Sequence, residues 1–410
     1  MSEGVSVPAA RLAELRQQEF PGACKAPYLN TAARSLLPRS SQAAMVETLD
    51  LLAAGDVDKD AWFALMERVR GKVARLIHAD ADEIAFTKNI SEGLNIIATA
   101  FDWKPGESVV ICPDIEHPNN IFPWYNLEAR AGIKVKEVQS KDGRVSAESI
   151  LGAIDASTRM VALATVSFSP GYHSPVAEIG RACRERGVFF LVDGAQSVGH
   201  IHTDVEALSI DGLAASTQKS LMGVYGMGFL YCRRAWAERL RPAYLARFGV
   251  DLGGGAHEAT RGSADVKLMP GARRFEVGNY NFPAAAALDR SLDILLEIGT
   301  EAIEAHVDAL AHRLASGLLQ LGLPVMGGRP GPHLGGIVSV GHLGAGGHDT
   351  AEDPAMASLH EALTAAGIRL SVRQGMLRFS MHLFNDTDDI EKVLHVARAW
   401  RDANPSMVAA

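Results

Sequence analysis

Residues 190–232 read FLVDGAQSVGHIHTDVEALSIDGLAASTQKSLMGVYGMGFLYC. An apolar run closes on Asp193, and a second strand of small residues, GLAAS at 212–216, delivers the chain to Lys219. A carboxylate and an amine thus sit just past the ends of two consecutive strands. A lysine held among small and apolar residues is partly desolvated, which lowers its pKa and favours the neutral amine able to form a Schiff base. Taken singly, each residue has a plainer reading: Lys219 as a loop lysine, Asp193 as the start of an Asp-Gly turn.

Outward from this stretch, β-branched runs alternate with helical periodicity from about Ile84 to Arg233. IAFTK, SVVIC and IKVKEV are separated by SEGLNIIATAF and NNIFPWYNLEARAG, and the pattern resumes with RMVALATVSF and PVAEIGRACRERG. Strand and helix taking turns predicts an α/β fold with a mainly parallel sheet covered on both faces. VFFLV and MVALA, apolar throughout, are its central strands, and Val176, Ile179 and Cys183 form the buried face of one covering helix. From Phe248 to Asn281 the chain turns Gly-rich and polar, and residues 251–265 suggest a lid or site wall. A helical stretch follows from Pro283 through Leu321. A mixed segment then leads to a last helix capped near Asp386 or Thr387, with Ile390, Val393, Leu394, Ala397 and Trp400 on one stripe. The expected division is an N-terminal segment (1–27) packing with the small domain, a large domain (28–282) and a smaller α+β domain (283–410).

Composition narrows the function. At 410 residues the chain exceeds a single domain of roughly 150 residues. A formal charge of −8 with no Lys/Arg run disfavours a nucleic acid partner. Cys24, Cys112, Cys183 and Cys232 lack CxxC spacing, as suits reduced thiols. The N-terminus has no basic-then-apolar leader, and no apolar run approaches the roughly 18 residues that span a bilayer, so a cytoplasmic protein is expected, with no membrane partner. GVYGMG at 223–228 falls between strands deep in the chain, the wrong place for a dinucleotide turn. His200 and His202 lack a companion ligand at metal spacing, so no metal is expected.

Together, DGAQSVGH and STQKSLMGVYGMG resemble the Asp-Gly-Ala-Gln and Ser-x-His-Lys segments of the class V aminotransferase family of fold type I pyridoxal phosphate enzymes. That family includes cysteine desulfurases, selenocysteine lyases and isopenicillin N epimerase. The resemblance runs from about Tyr28 to Val396. It implies the fold type I architecture, a seven-stranded type of sheet between helices with a smaller α+β C-terminal domain. It also implies that Lys219 carries the cofactor as a Schiff base, Asp193 pairs with its ring nitrogen and Gln196 meets its phenolic oxygen. These roles are physically sound, because a buried carboxylate keeps the pyridine nitrogen protonated and the displaced lysine can act as base and then acid.

Further segments extend the resemblance. FTKNISEGLN places Ile90 and Ser91 at a strand-to-helix junction where backbone N–H groups and the helix dipole suit a phosphate. The family usually has Gly-Thr-Thr at the positions of Asn89, Ile90 and Ser91. EHPNNIFPW makes His117 the residue stacked on the cofactor ring. Ser216 and Gln218 would contact phosphate or ring, although desulfurases usually have His in place of Gln218, and glyoxylate-type aminotransferases have Gln. RFEVGNYN resembles a segment that reaches the phosphate from the neighbouring subunit, with Asn279 in the contact position, which implies a homodimer with shared active sites. MLRFSMHLFN makes Arg378 the clamp for the substrate α-carboxylate, a contact suited to a planar guanidinium.

Two departures bear on the reaction. Desulfurases place a catalytic thiol in the loop that is VRQGM here, and no cysteine lies beyond Cys232; Phe168 stands where they usually have Asn. The resemblance therefore implies a pyridoxal phosphate enzyme that converts an α-amino acid through an external aldimine and a quinonoid. A lyase or epimerase without the desulfurase thiol ranks first, an aminotransferase using a keto-acid acceptor second, and a catalytically inactive binding protein last.

Overall fold

Apolar runs without polar alternation belong in strands covered on both faces. In the computed structural model, which describes residues 7–253, 265–344 and 346–407, such runs build the centre of a seven-stranded sheet. Its strands are β1 (Ile84–Thr87), β2 (Ser108–Ile111), β3 (Lys134–Glu137), β4 (Thr158–Ala164), β5 (Phe189–Asp193), β6 (Gly212–Ser216) and β7 (Gly228–Cys232). They lie in the order β1-β7-β6-β5-β4-β2-β3. β7 alone runs opposite to the other six strands. Every residue of β5 is buried, and so is every residue of β4 except Arg159. The helix Ile90–Ala100 packs on β6 and β7, close enough that a Cβ on Gly93 would lie 2.9 Å from Ala214 Cβ. The helix Val176–Arg186 buries Val176, Ile179 and Cys183 and stops at Gly187 in the left-handed conformation.

From β2 the chain moves outward to β3 on one side, and from β4 through β5 to β6 on the other. The loops leaving β2 and β4 therefore part at a switch point, where open α/β sheets form their ligand crevice at the carboxyl ends of the strands.

A second sheet of β8 (Ile337–Val340), β9 (Ser371–Arg373) and β10 (Met376–Ser380) is antiparallel in the order β8-β10-β9. The last helix, Thr387–Ala403, starts at an Asp386 capping box and buries all five residues of its apolar stripe. The N-terminal helix Ala9–Glu19 meets it through Arg16 and Asp389 at 2.9 Å. Isolated bridges then pair Tyr28 with Arg369 and Asn30 with Ser380.

Two expectations change. The helical stretch from Pro283 through Leu321 is two helices, Phe282–Ile298 and Thr300–Gln320, interrupted at Gly299, whose φ of 85° leaves the helical region. Apolar periodicity resumes directly after the break, so spacing alone does not register it. The polar stretch from Phe248 to Asn281 is also more ordered than a bare loop: Val250 bridges to Leu268, and a 3₁₀ turn at Gly271–Phe275 buries Ala272 and Phe275. Of the suggested wall at 251–265, residues 254–264 lie outside the described residues.

Candidate active site

Four strands of the parallel set, β2, β4, β5 and β6, deliver residues at or just past their carboxyl ends. Asp193 ends β5, Ser216 ends β6 with Lys219 three residues on, and the loops after β2 and β4 bring Glu116, His117 and Phe168. These residues line one cavity of about 140 Å³ with Ile90, Gln196 and Gln218. Asp193 is 4% exposed, and its Oδ1 accepts the Ala195 N–H at 2.9 Å. Burial pushes its carboxyl up, opposed by that hydrogen bond and by the charge of Lys219. Burial also brings the Lys219 amine down to about 8, against the pull of Asp193. Near pH 7 the amine is therefore neutral more often than that of a solvated lysine.

His117 stands edge-on to Phe168, with ring centroids 4.8 Å apart. Its Nδ1 accepts the Asn119 N–H at 3.2 Å. Burial, then the charge of Lys219, bring the imidazole down to about 4, so it is neutral and its proton is on Nε2. Gln196 Nε2 donates to Ala32 O at 3.1 Å. The helix start at Ile90 is partly closed by the chain's own oxygens: Ile90 N–H donates to Ser216 Oγ at 2.9 Å and Glu92 N–H to Asn89 Oδ1 at 3.0 Å. Ser91 sits half-buried in that first turn and does not line the Lys219 cavity. Asn279 lines a separate cavity with Thr87, Lys88 and Glu92.

Arg378 projects from β10 into an adjoining cavity of about 490 Å³ that shares His117, Phe168 and Lys219 with the first. It is 1% exposed, donates through Nη1 to Phe168 O at 3.0 Å and through Nε to Ser371 Oγ at 3.2 Å, and holds Nη2 without a partner. Burial and the neighbouring Arg373 both oppose its charge and pull it down to about 9. A guanidinium keeps its proton even so, and the cost stands until an anion arrives.

Residues 28–393 match the model of the family described as Aminotransferase class-V. A probable cysteine desulfurase of Methanothermobacter thermautotrophicus is 32% identical over 80% of this chain and 81% of its own length. One from Pyrococcus abyssi is 34% identical over 80% and 82%. The apo structure of a cysteine desulfurase from Thermococcus onnurineus superposes with a TM-score of 0.80 at 27% identity, covering 95% of this chain and 98% of the other. The chain belongs to the class V aminotransferase family. It is a cysteine desulfurase-like, pyridoxal phosphate-dependent class V enzyme with the fold type I architecture.

In this class V enzyme the geometry adds residues that sequence reading passed over. Glu116 is 5% exposed, accepts Ala164 N–H at 2.6 Å and the Asn120 side-chain amide at 3.0 Å, and is pushed up to about 8 by burial and by Asp193. It lies in the Lys219 cavity as a second carboxyl, next to the histidine that the motif singled out. Arg373, His348 and Asp349 join the Arg378 cavity. Arg373 lies two residues beyond Ser371 on β9 and so shares its face. His200 and His202 are engaged separately, with Ser220 at 2.7 Å and Thr300 at 3.0 Å.

Proposed function

We propose that the enzyme holds pyridoxal phosphate on Lys219 and acts on an α-amino acid as a lyase or epimerase. The observation that carries this reading is a lysine with a lowered pKa sharing a cavity wall with a buried guanidinium that has a donor to spare. When bound, the cofactor supplies an electron sink for charge released at the substrate Cα.

Asp193 would face the ring nitrogen and keep a proton there; a cation at that point favours the ionised form that burial alone resists. Gln196 would meet the phenolic oxygen and His117 would lie over the ring. Ile90, Ser216 and Gln218 would contact the phosphate or ring from within the Lys219 cavity, Ser91 would reach the phosphate from the helix's first turn outside it, and Asn279 would serve the phosphate of the second subunit in a homodimer. Arg378 would take the α-carboxylate through Nη2. Lys219, freed by the substrate's amine, would remove the Cα proton and return it, which its lowered pKa suits.

The lyase reading differs from that of a desulfurase in one respect. Cys112, Cys183 and Cys232 are buried with their thiols pushed up by burial, Cys24 lies near the N-terminus, and Arg373–Met376 holds no thiol. Sulfur chemistry by this enzyme would proceed without a persulfide on that loop. Gln218 favours the aminotransferase alternative. The reduced cysteines favour a cytoplasmic setting.

Purified enzyme should be yellow, and borohydride should bleach it and leave a cofactor-derived mass on the Lys219 peptide; an unlabelled Lys219 would sink the reading. A panel of amino acids then separates the reactions. Ammonia and a keto acid without an acceptor mean lyase, acceptor dependence means aminotransferase, and loss of optical activity alone means epimerase or racemase.

A further inference from the structure

Directly opposed residues of an antiparallel pair share a face, as do residues two apart on one strand. Arg378 is opposed by Ser371, and Met376 by Arg373. Both arginines therefore leave the same face of the small sheet, and both line the cavity that includes Lys219. Arg373 is 9% exposed and Arg378 1%. Each keeps one N–H group without a partner among the described residues, Nε of Arg373 and Nη2 of Arg378.

A single α-carboxylate satisfies Arg378 and leaves the other donor bare. The cavity wall carries the buried Arg373 and Arg378, the half-buried Lys219 and the exposed Arg34 against one carboxylate, Asp349, whose Oδ1 already accepts from Arg373 Nη1 at 2.6 Å. An uncompensated buried cation is costly, and a planar donor fork is matched by an oxyanion. Diagonal neighbours on such a pair stand roughly 7–8 Å apart at the backbone, so two long arginine side chains converge on groups separated by only a few bonds.

Resting on the amino-acid reading above, we infer that the substrate carries a second anionic group on a short side chain and that Arg373 receives it. The substrate class is an acidic α-amino acid, with a carboxylate or another oxyanion one or two carbons beyond Cα.

Holoenzyme titrated with aspartate, asparagine, glutamate, glutamine and alanine, with the cofactor's absorption band as the binding readout, tests this. Each acid should bind about tenfold or more tightly than its amide, the scale of one charge-assisted hydrogen bond. Arg373→Gln should bring that ratio close to one, and Arg373→Lys should keep part of it. Equal binding of acid and amide by the unaltered enzyme overturns the inference while the amino-acid reading stands. The same holds if Arg373→Gln weakens acid and amide together and leaves the ratio intact, the behaviour of two arginines sharing one α-carboxylate. If no amino acid moves the band, the amino-acid reading falls and the inference with it. Should Arg373→Gln fail to hold the cofactor, the acid-to-amide ratio of the unaltered enzyme and of Arg373→Lys decides.

Discussion

Lys219 is set by two opposing influences: burial discourages its charge and Asp193 encourages it, leaving the amine at about 8. Its folded value lies below the ordinary 10.5, so the native chain sheds this proton earlier than the unfolded chain does. Covalent uptake of cofactor needs the neutral amine, and its rate in apoenzyme should climb about tenfold per pH unit below 8 and level off above. Asp193→Asn removes the charge that holds the proton, so the plateau should begin at lower pH. Stopped-flow absorbance across pH 6 to 10 checks both. A rate still climbing steeply at pH 10 would mean that the lysine is solvated. Lys219 and Asp193 could be brought together from the sequence because DGAQ and STQK, each at or just past the end of an apolar strand, resemble the family's segments as a pair. Glu116 could not, because a loop glutamate reads as solvated until the fold closes over it.

Among the elements, the join between the helix Lys59–Leu76, β1 and the turn before Asn279 is held by one buried ion pair. Arg70 Nη1 donates to Glu276 Oε1 at 2.8 Å and to Ile84 O at 2.7 Å, while Glu276 also accepts from Phe86 N–H at 2.7 Å and Tyr280 O–H at 2.6 Å. Breaking such a pair on one side leaves a buried charge, at about 3–5 kcal/mol. Arg70→Met should lower the urea midpoint accordingly and loosen the segment that carries Asn279; a loss below about 1 kcal/mol would show that water relieves the carboxylate. None of this is legible in sequence order, since Arg70 and Glu276 are 206 residues apart. Arg373 escaped for a related reason: its approach to Arg378 depends on β9 and β10 pairing around Gln374 and Gly375. The central strands were legible because β4 and β5 are apolar almost without interruption, and the last helix because its cap and its stripe agree.

At the scale of the whole molecule, Asn279 stands in a cavity apart from Lys219, which fits a residue offered to a second copy of the chain. Light scattering should give twice the chain's 43.8 kDa. If the proposed homodimer shares its sites, Lys219→Ala and Asn279→Asp should each abolish activity, the latter by setting a negative charge against the phosphate of the other subunit's site. Mixed and reassorted subunits should then regain about a quarter of full activity, because each hybrid contains one site with both native residues. No recovery would place Asn279 and Lys219 of one and the same chain in a single site.

The stitch at Ala32 also has a bearing on how the enzyme is made. Its N–H reaches Ser380 Oγ at 2.8 Å, and its carbonyl accepts from Gln196. Nearly the first and nearly the last segments of the polypeptide thus meet around the middle one. A nascent chain has no finished pocket until almost its entire length has left the ribosome, so capture of the vitamin must follow translation. A product halted after residue 219 would carry the reactive amine with nowhere to keep what it catches.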